Sequence, residues 1–224
     1  MSLTDLLDQM LIRETNLESY EAAAQQAITP MLQSPTKRHP KLKYVAQGER
    51  KVVFKVQTGE GPLAVAVYRL LGPDESEMEY ANLILLHQKA PSLFPKPISR
   101  IYLPDVARGV LIMEFLKEQR LDTFAKEHPR LTQAYVKELG YSAGFVFERT
   151  GRFQHDPHSG NILAGCNRNK VRIKFIDVER FSEGDEDELF EYLSNPSADR
   201  SDVADHPIFF KNGFYTGVQR AKGL

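Results

Sequence analysis

Cys166 is the only cysteine in 224 residues, so no internal disulfide can form, and this usage fits a reducing interior. No stretch approaches the ~20 consecutive apolar residues that a bilayer-spanning helix needs, and the N-terminus has neither the basic flank nor the apolar core of a signal peptide. The expectation is a cytoplasmic protein without a membrane span. A large charge of either sign is also missing: 29 Lys and Arg against 30 Asp and Glu leave a formal net charge of −1. No global field therefore draws the chain to nucleic acid. Internal repeats and low-complexity tracts are absent, which excludes solenoids and arrays. What remains is ordinary globular composition, 42% hydrophobic and 26% charged, in a chain long enough for one sizeable core or two small lobes.

Hydrophobic spacing divides the chain into three stretches. Residues 1–39 form an N-terminal extension: apolar positions between Leu3 and Gln33 predict one or two amphipathic helices, and the proline- and cation-rich Ser34–Lys43 predicts an extended linker. Residues 40–116 form a β-rich lobe. Val52–Val56 and Leu63–Tyr68, separated by Thr58-Gly-Glu-Gly-Pro62, read as strand, turn, strand. Asp74-Glu-Ser-Glu77 starts a helix that runs to about Gln88, and strands follow at Ile98–Tyr102 and Gly109–Met113. Residues 117–224 form a helical lobe. Leu131, Tyr135, Leu139 and Val146 predict a long helix buried on one side. Two short strands, Asn161–Ala164 and Val171–Ile176, and a short helix from Leu189 to Leu193 complete it.

One polar constellation stands out. Phe153-Gln-His-Asp156-Pro-His158-Ser-Gly160-Asn161 is followed by Asp177 at the end of an apolar strand. Aspartate and asparagine both favour turns, so Asp156 and Asn161 can be read as turn residues. His155 and His158 can be read as zinc ligands, but no Cys, His or Glu at suitable spacing completes a set of four.

The spacing of Asp156, Asn161 and Asp177 resembles the catalytic loop of the protein-kinase-like superfamily, where an aspartate precedes an asparagine by five residues and a metal-binding aspartate follows a short hairpin. The resemblance runs from about Tyr44 to Arg180 and implies a two-lobed α+β fold that binds ATP and Mg²⁺ in a cleft. It implies that Asp156 orients an attacking hydroxyl while Asn161 and Asp177 hold the magnesium. Glu114 and Leu116, where the strand Val110–Met113 leads into a connector, resemble the hinge whose backbone groups bond adenine; an ordinary core strand is the other reading. Glu79 resembles the helix glutamate that pairs with the ATP-positioning lysine.

The departures are specific. Gly48 alone remains where the family carries a glycine-rich loop, and Ala66 occupies the place of the lysine. Alanine cannot bind phosphate. Lys51, Lys55 or Arg69 substitutes, or the domain is a pseudokinase acting as a binding module, or an inactivating change stands at Ala66. Lys51 is the attractive substitute, because it stands at the third-glycine position, where with-no-lysine kinases place theirs. Gln154-His155 replaces the usual histidine two residues before the aspartate, and Val178-Glu-Arg180 replaces phenylalanine-glycine after Asp177. Asp156-Pro-His158-x-Gly-Asn161 resembles UbiB-type atypical kinases, and Ile176-Asp-Val-Glu-Arg180 resembles lipopolysaccharide-core sugar kinases. The short stretch after Asp177 predicts a minimal lobe. The expected activity is phosphotransfer from ATP to a serine or threonine of a protein substrate, with a sugar or lipid hydroxyl as the alternative acceptor.

Overall fold

The computed structural model describes residues 42–48, 50–58, 61–68, 74–103, 108–155, 159–167, 170–194, 203 and 205–223. The helices expected between Leu3 and Gln33, the linker as far as Lys41, and Asp156 and His158 lie outside the described residues. Two compact units emerge. The first takes the described residues up to Tyr80 together with Pro97–Leu116, and the second takes Ala81–Lys96 with Lys117–Leu224.

In the first unit, β1 (Leu42–Gln47), β2 (Lys51–Thr58), β3 (Gly61–Tyr68), β4 (Pro97–Leu103) and β5 (Arg108–Glu114) form one antiparallel sheet in the order β1-β2-β3-β5-β4. β1 was not foreseen; its first two residues had read as linker. β3 lies at the centre, and its run from Leu63 to Tyr68 is buried on both faces. On one face Val56, Leu63, Val65, Val67, Val110 and Ile112 make the core, with Phe54, Ile98 and Ile101 packed against it. The alternate residues Ala64, Ala66 and Tyr68 point the other way. On that side lies the first part of α1 (Asp74–Lys89). Its opening acids and its closing His87 and Lys89 match the polarity of a helix dipole.

The second unit holds the rest of α1, the two-stranded ribbon β7 (Arg152–Gln154) with β10 (Phe181–Glu183), and the three-stranded sheet β6 (Gln119–Arg120), β8 (Ile162–Asn167) and β9 (Lys170–Phe175). Its helices are α2 (Leu121–Glu127), α3 (Thr132–Thr150), α4 (Glu186–Ser194) and α5 (Pro207–Ala221). α3 is the long helix the spacing predicts. It ends at Gly151, whose φ of 65° is the left-handed cap position and whose N–H donates to the Phe147 carbonyl. α4 opens on Glu186, Asp187 and Glu188, three residues before the expected start at Leu189. Phe94, Phe175 and Phe181 pack together with ring centroids 5.4–5.8 Å apart. No helix among the described residues is long and apolar enough to cross a membrane.

Candidate functional site

The first unit brings Lys51 and Glu79 together. The β2–β3 ladder sets Lys51 opposite Tyr68 and Val53 opposite Ala66, so Lys51, Ala66 and Tyr68 share the face of the sheet on which α1 lies. From there Lys51 Nζ reaches Glu79 Oε2 at 2.5 Å, and the Tyr68 hydroxyl donates to the same oxygen. The Lys51 ammonium also sits 5.6 Å from the centre of the Tyr68 ring. Side-chain exposure is 11% for Lys51 and 2% for Glu79. A pair this dry survives only when each charge is well bonded, and removing one partner of such a pair typically costs about 3–5 kcal/mol. Tyr68 supplies the additional bond. Sequence reasoning missed it, because a tyrosine closing a strand reads as an ordinary β-former; the available signal was its period-two spacing from Ala66.

Ala66 is fully buried between Val53 of β2 and Leu111 of β5. The N–H of Gly48 donates to the Lys51 carbonyl at 2.9 Å, closing β1 onto β2 in a tight turn. A side chain at position 48 would meet its nearest atom at 3.8 Å, so this turn does not require glycine. Glu114 ends β5 and is exposed, and Leu116 is half-buried in the connector beyond it.

In the second unit, Asn161 and Asp177 come from the two arms of one hairpin. Ile162 pairs with Phe175 across β8 and β9, and the Ile176 N–H donates to the Asn161 carbonyl at 2.9 Å. The ladder thereby sets Asn161 opposite the residue before Asp177. Asn161 closes a 3₁₀ turn (Ser159–Asn161) instead of opening the strand as expected, and it is buried. Asp177 is the one non-glycine residue of positive φ among the described residues, with φ 61° and ψ 65°. Such a conformation costs about 1–3 kcal/mol and persists where the surroundings enforce it. Gln154 helps to enforce it, because its Nε2 donates to the Asp177 carbonyl at 2.8 Å. His155 stacks on Phe153 with ring centroids 4.1 Å apart.

The donor chemistry fits the groups that the sequence resemblance implies. An amide oxygen and a carboxylate are the hard ligands that magnesium takes alongside phosphates and water. A lysine held by a buried carboxylate is a fixed cation suited to a phosphate.

The chain matches no family model and no curated protein. Among solved structures it is similar to WaaP in complex with acyl carrier protein, with a TM-score of 0.51 and 18% identity over 78% of each chain. At that identity the likeness carries the fold: α+β, of the two-lobed protein-kinase-like class.

Proposed function

We propose that this chain is an ATP- and magnesium-dependent phosphotransferase acting on an alcohol hydroxyl. The observation that carries the reading is the buried pair of Lys51 and Glu79. A kinase-like fold with alanine at the lysine position still holds a lysine against the helix glutamate, delivered from the neighbouring strand. In this reading Lys51 positions the phosphates, and Glu79 and Tyr68 hold Lys51. Backbone groups of Glu114 and Leu116 would bond adenine, and Gly48 stands at the place of the family's glycine-rich loop. Asn161 and Asp177 would hold magnesium, which when bound neutralises charge on the phosphates. Asp156, from its place in the motif, orients the acceptor hydroxyl.

The acceptor is a serine or threonine of a protein or the hydroxyl of a sugar or lipid. The resemblance of Ile176-Asp-Val-Glu-Arg180 to lipopolysaccharide-core sugar kinases favours the small-molecule class, and the fold likeness to WaaP is compatible with either acceptor. Ala66 and the tight turn at Gly48 favour a second reading, a pseudokinase that binds partners without transfer.

Calorimetric titration with Mg-ATP, together with radiolabel transfer to core oligosaccharide and to a generic protein, tests these readings. The expected result is nucleotide binding that Lys51→Met weakens by about tenfold or more, as loss of one charge-assisted bond of ~1.5–3 kcal/mol requires. Unchanged affinity in Lys51→Met removes the assignment. Binding with no transfer to either acceptor selects the pseudokinase.

A further inference from the structure

The turn that follows Asp177 is fastened along its whole length. Val178–Arg180 form a 3₁₀ turn closed by the Phe181 N–H, which donates to the Val178 carbonyl. The Asn82 side chain of α1 lies against the carbonyls of the turn and of its exit: Nδ2 is 3.1 Å from the Val178 oxygen, 3.4 Å from that of Glu179 and 3.3 Å from that of Phe181. Arg152 Nη1 donates to Asn82 Oδ1 at 2.7 Å, which dictates that the amide nitrogen faces the turn. Arg152 is itself placed by the turn's exit, since β7 and β10 pair it with Glu183, whose carboxylate lies 3.6 Å from Nη2. At the entrance, Gln154 holds the Asp177 carbonyl. The segment Val178-Glu-Arg180 contains no glycine, so no residue in it adopts left-handed backbone conformations without strain.

We propose that Asn82 and Arg152 are positioning residues that lock the turn after Asp177 in one conformation and so hold the Asp177 carboxylate ready for a divalent cation. The inference rests on the reading of Asp177 as a magnesium ligand. Neither residue touches the metal. They act through the backbone of residues 178–181, as outer groups commonly orient a ligand. Bonds from α1 along the turn and from β7 at its entrance and exit oppose its rearrangement.

Two measurements on the full chain test the proposal: amide hydrogen exchange across residues 177–183, and Mn²⁺ binding in the presence of ATP followed by electron paramagnetic resonance. Asn82→Asp retains an acceptor for Arg152 but loses both amide donors to the turn. The expected result is faster exchange at 178–183 and Mn²⁺ affinity lower by about tenfold, the usual scale for loss of an outer orienting group. Metal-free ATP binding should hold. Arg152→Leu, which frees the Asn82 amide to rotate, should move both readouts in the same direction by less, and it serves where Asn82→Asp does not fold. Unchanged exchange in both variants overturns the lock, and faster exchange with unchanged Mn²⁺ affinity overturns the positioning role. If the wild-type chain binds no Mn²⁺ with ATP, the phosphotransferase reading falls and takes the positioning role with it, while exchange still decides whether the turn is locked.

Discussion

Lys51 and Ala66 stand two rungs apart on the β2–β3 ladder and so share a face, and one buried carboxylate serves that patch of sheet. Glu79 Oε2 already receives Lys51 and Tyr68, and Ala66 beside them has no exposed surface. A lysine at position 66 would bring a second ammonium to a carboxylate already engaged. Burying a charge without a full partner costs several kcal/mol. Ala66→Lys is therefore expected to lower the melting temperature and leave phosphotransfer no higher than in the present chain. A sharp rise in transfer would mean instead that alanine is the altered residue and Lys51 a bystander. The family resemblance pointed to Lys51 from its third-glycine position and to Glu79 as the partner of the family's lysine. It gave no sign of the Tyr68 hydroxyl on the same carboxylate, because residues 51, 68 and 79 meet only after β2, β3 and α1 have packed.

At the scale of elements, α3 and α5 approach so closely that four glycines are needed where they cross. A methyl group on Gly140 or Gly144 would strike the carbonyls of Phe210 or Phe214, and one on Gly213 or Gly217 would strike those of Lys137 or Tyr141. The reciprocal pattern Gly140-x3-Gly144 against Gly213-x3-Gly217 puts small residues one turn apart on both helices. In a helix interior alanine normally exceeds glycine by about 1 kcal/mol. Here the obstacle is backbone, which cannot swing aside as a side chain can, and overpacking typically costs about 1–3 kcal/mol or more. Gly144→Ala should therefore destabilise the protein in urea unfolding, contrary to helix propensity; a rise in midpoint would refute the close crossing. The same glycines explain why α5 escaped sequence reading. Phe210, Gly213, Phe214 and Gly217 are its buried positions at helical spacing, but two of the four are glycine and carry no hydrophobic signal. α3, with Tyr135, Val136, Leu139 and Val146 buried, was legible for the opposite reason.

Across the whole molecule, the chain leaves the first unit after Tyr80 and returns at Pro97, giving residues 81–96 to the second. Pro95 stands just before, and Pro97 opens, the strand that returns the chain to the first unit. They could not show that the residues before it belong with partners some 80 positions further on, because that link is made by side chains meeting at long range. Phe94 is the chief of these. It is fully buried, its ring centroid lies 5.7 Å from that of Phe175 and 5.4 Å from that of Phe181, and the Leu93 carbonyl beside it accepts the Phe175 N–H. The first unit draws on a separate cluster, in which Val65, Val110 and Ile112 have no exposed surface. Truncating a buried phenylalanine typically costs about 3–5 kcal/mol, comparable to the stability of a small domain. The loss should fall on the unit whose core is opened. Phe94→Ala is expected to speed amide exchange in α3, β8 and β9 well before β2, β3 and β5, as local unfolding of one unit requires. Equal loss of protection in β2, β3 and β5 would mean that the two cores unfold as one cooperative body, with residues 81–96 stabilising both.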